Sequence, residues 1–499
     1  MPTVSRTGGE KSKARARVVR RLAPRRKRTP APKTRQVVDD VAGLPQVRVR
    51  MYRQGLGDCF LLTFYPGRDE KHLLIDCGTL GTKYTDVKLS DVIADIDKTT
   101  NGHLHLVIAT HQHQDHLSGF PGLSDRFGAA KSKQIDRVWL AWAENPHDQL
   151  ASTLGKARDG MGIAAKSAVE ALRATGVDND TAGAIDSLLG FFGEPVIEPD
   201  WLPGFRFYVL GPPRDINAIH DIGAHGGSEL YALTALTRAA LLHSRANKRS
   251  GEDDDSSAEA PFDRRFRLSK DDPRIVAAYG KTYLNRSDAS QRWRTVDTDW
   301  LNGASALAIQ LDSFTNNTSL AIAIERIADG KVLLFPGDAQ EGNWLSWHDP
   351  SIAWQATTAY GKTTKVTARD LLTRTVFYKV GHHSSHNATA KAKGLEMMTG
   401  QSELTALIPV DRQAALGRSP AGTWKMPARQ LYRALLDKCQ GRVARSDIGW
   451  ATNVGHGTKG VEAEFAALAT DAEWAAWNKS QQAATRVQIE PNHIDFLLD

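Results

Sequence analysis

From Thr110 to His116 the chain reads T-H-Q-H-Q-D-H, placing three histidines and a carboxylate within six residues directly after an apolar run. Imidazole suits zinc and its neighbours, and carboxylate suits hard divalent ions, so this density points to a metal site. His111 and His113, two apart on a loop, can turn toward one ion, while Asp115 and His116 can reach a second. Such a loop needs partners from elsewhere. Two are offered at strand ends: Asp338 after K-V-L-L-F-P-G, and His382 or His383 after F-Y-K-V-G. In each case an apolar strand runs into glycine beside the candidate ligand, as expected of a site assembled along one rim of a sheet. Asp338 alone would be an Asp bonding its own turn, and His382-His383 alone an exposed pair; their recurrence at strand ends argues for a joint role.

The net charge of +7 hides a division. Residues 1–38 hold thirteen Lys or Arg against Glu10, a local +12, so the rest of the chain carries −5. That Arg-, Lys-, Ala- and Pro-rich tail has too little apolar surface to offset its ordering entropy and is expected to be disordered. It could hold nucleic acid or an anionic membrane by counterion release, or serve only as a solvated extension. Cys59, Cys77 and Cys439 make an odd number, which argues against a disulfide framework and for a reducing, cytoplasmic setting. No apolar run is long enough to span a membrane.

In chain order, V-R-V-R-M-Y (47–52) alternates as a half-buried strand, and C-F-L-L-T-F-Y (59–65) and H-L-L-I-D-C (72–77) continue it into an antiparallel meander. Residues 86–98 space Val87, Val92, Ile93 and Ile96 as one helix face. Further strands are expected at 105–109, 135–142, 205–210, 305–311, 318–324, 331–335, 375–380, 404–410 and near Val443, with helices in 150–192, 427–438 and 461–478. One domain, 39–499, is expected, with insertions at about 143–204 and 214–300.

The ordered segments G-L-G-D-C-F-L-L, H-L-L-I-D-C-G, T-H-Q-H-Q-D-H-L-S-G, F-Y-V-L-G-P-P, N-N-T-S-L-A-I, K-V-L-L-F-P-G-D-A and K-V-G-H-H-S-S-H resemble the metallo-β-lactamase domain of the ComEC-like competence proteins, without their membrane channel. The resemblance implies an α+β, four-layer αβ/βα sandwich with a dinuclear centre. Two Zn2+, with Mn2+ as an alternative, would be held by His111, His113, Asp115, His116, Asp338 and the His382-His383 pair. It implies that Asp76 and Asp58 brace the site, and it makes Lys379 a candidate to steer or neutralise an anionic substrate. Two departures stand out. Ser384 replaces a glycine of the family pattern, and a histidine from mid-chain has no clear counterpart, His220 and His225 being the nearest offers.

Metal-assisted hydrolysis follows as the expectation, since a divalent ion can bring the pKa of bound water to about 7 and so supply hydroxide. Asp115 or Asp338 would orient the nucleophile and accept its proton. Phosphodiesters lead as substrate, making a phosphodiesterase or nuclease. The alternatives are a hydrolase of a small ester, lactone or thioester, and a metal-poor binding or regulatory module.

Overall fold

The computed structural model describes residues 46–67, 69–127, 133–144, 148–151, 196–221, 273–279, 315–357, 361–400, 402–417, 424–454, 460–482 and 486–499. The basic tail, the greater part of both expected insertions, nearly all of the helical stretch expected at 150–192, the strand expected at 305–311 and His225 lie outside these residues.

The first half of the chain contributes β1 (Gln46–Tyr52), β2 (Cys59–Tyr65), β3 (Lys71–Cys77), β4 (His103–Leu104), β5 (Leu106–Ala109), β6 (Gln134–Ile135) and β7 (Val138–Leu140). The second contributes β8 (Val196–Ile197), β9 (Phe205–Gly211), β10 (Ala321–Arg326), β11 (Val332–Phe335), β12 (Trp354–Thr357), β13 (Thr363–Val366), β14 (Thr375–Lys379), β15 (Thr405–Ile408), β16 (Val443–Arg445) and β17 (Gly449–Trp450). A terminal hairpin, β18 (Val487–Ile489) and β19 (His493–Leu498), returns to the first half. There it completes a seven-stranded sheet in the order β18-β19-β1-β2-β3-β5-β7, opposite an eight-stranded sheet β17-β16-β15-β14-β11-β10-β9-β8.

Strand alternation explains why these sheets face each other. Val47, Val49, Met51, Phe60, Leu62, Leu73, Ile75, Leu106 and Ile108 point to one side of the first sheet, where they meet Phe207, Ile322, Ile324, Leu333, Phe335, Phe377 and Leu407 of the second. The opposite parity faces outward. Leu61, Leu74 and Val107 pack under α1 (Leu89–Thr100) and α3 (Phe120–Arg126), and Tyr208, Ala323, Leu334 and Tyr378 pack under helices including Arg429–Lys438. The result is helices, sheet, sheet, helices: an α+β sandwich. In α1 the buried residues Val92, Ile93, Ile96 and Thr100 form the stripe read from the sequence.

β19 was not expected from the sequence. It pairs antiparallel with β1, and the Arg50 guanidinium grips both carboxylate oxygens of Asp495 at 2.9 Å. The expected 135–142 strand is split into β6 and β7, followed by a 3-10 turn at Trp142–Glu144. The expected 461–478 helix is divided into Ala463–Ala466 and Asp471–Gln482. No helix among the described residues is long and apolar enough to cross a membrane.

Candidate metal centre

β3 and β5 run parallel and adjacent, so they deliver Asp76 and Thr110 to the same rim. Asp76 sits at φ 54, and its carboxylate accepts from the Thr110 backbone N–H at 2.8 Å, the Thr110 hydroxyl at 2.7 Å and His116 Nδ1 at 2.7 Å. One buried side chain therefore fixes both ends of the histidine loop. The loop closes into a single turn, α2 (Gln114–Leu117), beneath two glycines. A Cβ on Gly78 would lie 2.3 Å from the Asp115 carbonyl carbon, and one on Gly57, at φ 152, would lie 2.7 Å from its oxygen. Only glycine lets these turns approach so closely. Asp58 N–H donates to the Asp115 carbonyl at 2.9 Å, and the buried Gln54 amide ties the Gly57 and Gly78 carbonyls together.

The second sheet supplies the other side. Beyond β11, Asp338 is fully buried, and its N–H donates to Ser319 Oγ at 3.1 Å. Beyond β14, His382, His383 and Ser384 take φ values of 43, 51 and 63, three consecutive left-handed residues with no glycine among them. Such backbone is sparsely populated and persists only where its surroundings hold it. Here His382 N–H donates to Asp338 Oδ1 at 2.8 Å, His383 Nδ1 bonds the Pro409 carbonyl at 2.7 Å, and the Ser384 carbonyl accepts from Ala428 at 2.7 Å. Ser384 thus adopts the conformation that glycine would reach without strain.

These elements bring Asp115, His116, Asp338 and His383 together, one donor atom of each lying within 4.8 Å of the others. The hydrogen bonds fix what those atoms can be. His116 donates from Nδ1 to Asp76 and His383 from Nδ1 to Pro409, so in each neutral ring Nε2 carries a lone pair. Both lone pairs face carboxylates: His383 Nε2 lies 2.7 Å from Asp115 Oδ2, and His116 Nε2 lies 3.2 Å from Asp338 Oδ2. The second pair makes no aligned hydrogen bond, and both atoms are buried without one. Lone pair against carboxylate is repulsive unless a cation, whether a proton or a metal ion, lies between. The electrostatics agree. Burial opposes charge on all four groups, yet mutual attraction raises His116 and His383 and holds Asp115 and Asp338 far below the usual carboxylate range. The donor set is thus built around positive charge.

His111 and His113 lie beside this cluster, with His111 Nε2 at 3.0 Å from His113 Nδ1 and the His111 ring 4.1 Å from that of His116. Burial, then the neighbouring His116 and His113, push His111 well below the ordinary value and keep it neutral. His382 turns elsewhere: its Nδ1 meets Ser385 Oγ at 2.8 Å and its Nε2 lies 3.4 Å from the Asn316 amide. The Lys379 ammonium is buried against Asp58, Asp338 and the Gly337 carbonyl. His220 is exposed at the end of the short helix Ile216–His220 and does not join the cluster. Motif reading gave no role to Gln54, Ser319 or Asn316, although the N-N-T-S-L segment holds the last two; Asn316 Oδ1 is buried without a hydrogen-bond partner.

No curated protein matches the chain significantly. Residues 52–199, the stretch holding Asp58, Asp76 and the histidine loop, match the family model of the metallo-beta-lactamase superfamily.

Proposed function

We propose that the protein is a metal-dependent phosphodiesterase or nuclease. The observation that carries this reading is the pair of imidazole lone pairs facing buried carboxylates at Asp115, His116, Asp338 and His383. These four residues would hold one divalent ion, and His111 and His113 would offer nitrogen donors to a second; zinc suits the mixed nitrogen and oxygen set, with Mn2+ as the alternative. Bound there, such ions activate water and polarise a phosphoryl oxygen. The residues themselves orient. Asp338 Oδ1 is tied by Lys379 and by His382 N–H, which leaves Oδ2 turned to the centre to align the attacking water. Asp76 keeps the proton of His116 on Nδ1, away from the reacting side.

Exposed side chains on segments tied to the loops of the centre support a phosphodiester substrate. Tyr84 and Trp424 are two of the few large apolar side chains left exposed among the described residues. Tyr84 is anchored through Asp411, two residues beyond the Pro409 carbonyl that holds His383, and Trp424 lies four residues before Ala428, which holds Ser384. Exposed Lys83, Lys425 and Arg429 accompany them. Aromatic faces among basic groups suit bases strung on phosphates. The basic tail, residues 1–38, would add sequence-independent affinity.

A second reading, hydrolysis of a small ester, lactone or thioester, would draw on a largely apolar cavity of about 740 Å³ lined by residues including Leu140, Trp142, Pro212, Leu345 and Trp354, none of them a candidate ligand. Single-stranded DNA, duplex DNA, RNA, bis(p-nitrophenyl) phosphate and a lactone, assayed with Zn2+ and Mn2+ beside Asp338→Ala, separate the two. Phosphodiester cleavage lost in the variant is expected. Turnover of the lactone alone overturns the phosphodiester reading.

A further inference from the structure

Lys379 leaves β14 into the middle of the centre, where it is 2 % exposed. An ammonium has three protons to donate. Here they meet the Asp58 carboxylate, Asp338 Oδ1 at 3.2 Å and the Gly337 carbonyl at 2.8 Å. Asp58 belongs to the first half of the sandwich; Asp338 and Gly337 belong to the second. The ammonium therefore ties the two halves together at the seam where the ligands meet.

Charge explains why a cation is needed there. Asp58, Asp76, Asp115 and Asp338 are each at most 9 % exposed, and all four have an oxygen within 4 Å of a ring nitrogen of His116. Buried carboxylates in that number repel one another, and leaving one unpaired is strongly unfavourable. Lys379 is the one permanently charged base in contact with this group among the described residues. With its partners saturated inside the protein, it has no proton left for a substrate.

We propose that Lys379 is a resident counter-cation, which holds the ligand carboxylates in place before a divalent ion binds and then opposes that ion by its charge. The proposal rests on the metal reading above. It gives opposite signs for the two partners of one ion pair. Lys379→Met removes the opposing charge, so zinc binds more tightly while the zinc-free protein is less stable. Asp58→Asn throws the ammonium onto Asp338 and weakens zinc binding. A buried pair that only supports the fold would weaken zinc binding whichever partner is removed.

The test measures zinc affinity of the full chain by competition with a chromophoric chelator, with thermal melts in zinc and in chelator. Lys379→Met is expected to bind at least tenfold tighter and to melt at least 5 °C lower without zinc, with most of that loss recovered in zinc. Asp58→Asn is expected to bind at least tenfold weaker. If Lys379→Met does not fold without zinc, Asp58→Asn/Lys379→Met against Asp58→Asn gives the same comparison, because removing one carboxylate with the ammonium keeps the net charge of the unaltered cluster; the double variant should bind tighter. Equal or weaker binding on removal of Lys379 overturns the proposal. Absence of zinc and manganese binding in the unaltered protein would instead defeat the metal reading itself.

Discussion

The strands β3 and β5 carry a histidine cluster at each end, and the two clusters are chemically opposite. At the far end His72, His103 and His105 gather beside Asp136, with ring centroids of His103 and His105 4.0 Å apart and His105 stacked on Trp201. Three side chains there, His103, His105 and Asp136, are close enough together to resemble a metal site. Their hydrogen bonds say otherwise. His105 Nδ1 accepts from the His72 backbone N–H at 3.2 Å, so its proton is on Nε2, and His103 Nε2 bonds both oxygens of Asp136 at 2.9–3.0 Å. Burial pushes His72 and His105 down to about 4, so they pack as neutral rings. At the near end His116 and His383 are raised, their lone pairs aimed at carboxylates they cannot bond while neutral. Histidine density is common to both ends. What separates them is where each ring's second nitrogen is committed.

That contrast can be broken most severely at Asp76. Asp76→Asn keeps the shape but presents an amide N–H where His116 Nδ1–H now donates, which drives the His116 proton to Nε2 and toward Asp338. Loss of such a partner is expected to weaken metal affinity by about 10–100-fold, measured by chelator competition. Unchanged affinity would mean that the tautomer is not set by Asp76. The far cluster gives an intermediate effect, confined to pH. His72 and His105 have folded pKa values below the unfolded 6.5, so their contribution is complete above about pH 6.5 and is lost as pH falls toward 4. Thermal melts from pH 7 to 4 should show this acid limb, flattened in His105→Gln with metal affinity untouched; an identical limb would place the acid sensitivity elsewhere. The smallest effect is expected at Ser384, at φ 63 and with a buried hydroxyl that has no hydrogen-bond partner. Ser384→Gly removes both costs against a more flexible unfolded chain, for a net gain of about 1 kcal/mol in urea unfolding. A loss of similar size would show that the serine side chain is held by contacts of its own.

The comparison also shows what was legible in the residues alone. Strands whose alternation separates two cores, such as Val47, Val49 and Met51 against Arg48 and Arg50, were readable, because the period of two follows from the backbone. The terminal strand at Ile494, Phe496 and Leu498 was not, since its meaning depends on β1, more than 400 residues away. The trio of strand-end segments at Asp115–His116, Asp338 and the His382-His383 pair could be listed from motif order, but not that the His383 ring meets Asp115 while the His382 ring meets Ser385 and Asn316. Lys379 was visible as a lysine near the site, while its three buried partners were not. A sequence places residues along the chain; protons and lone pairs are assigned only when their neighbours in space are known.

The most direct measurement is metal content of the purified protein by mass spectrometry, after loading with zinc and removing excess, for the unaltered chain, His116→Ala, His383→Ala and His103→Ala. The near cluster as the metal centre predicts at least one ion per chain in the unaltered protein and in His103→Ala, with most of it lost in His116→Ala and His383→Ala. Loss in His103→Ala with retention in the other two would contradict it.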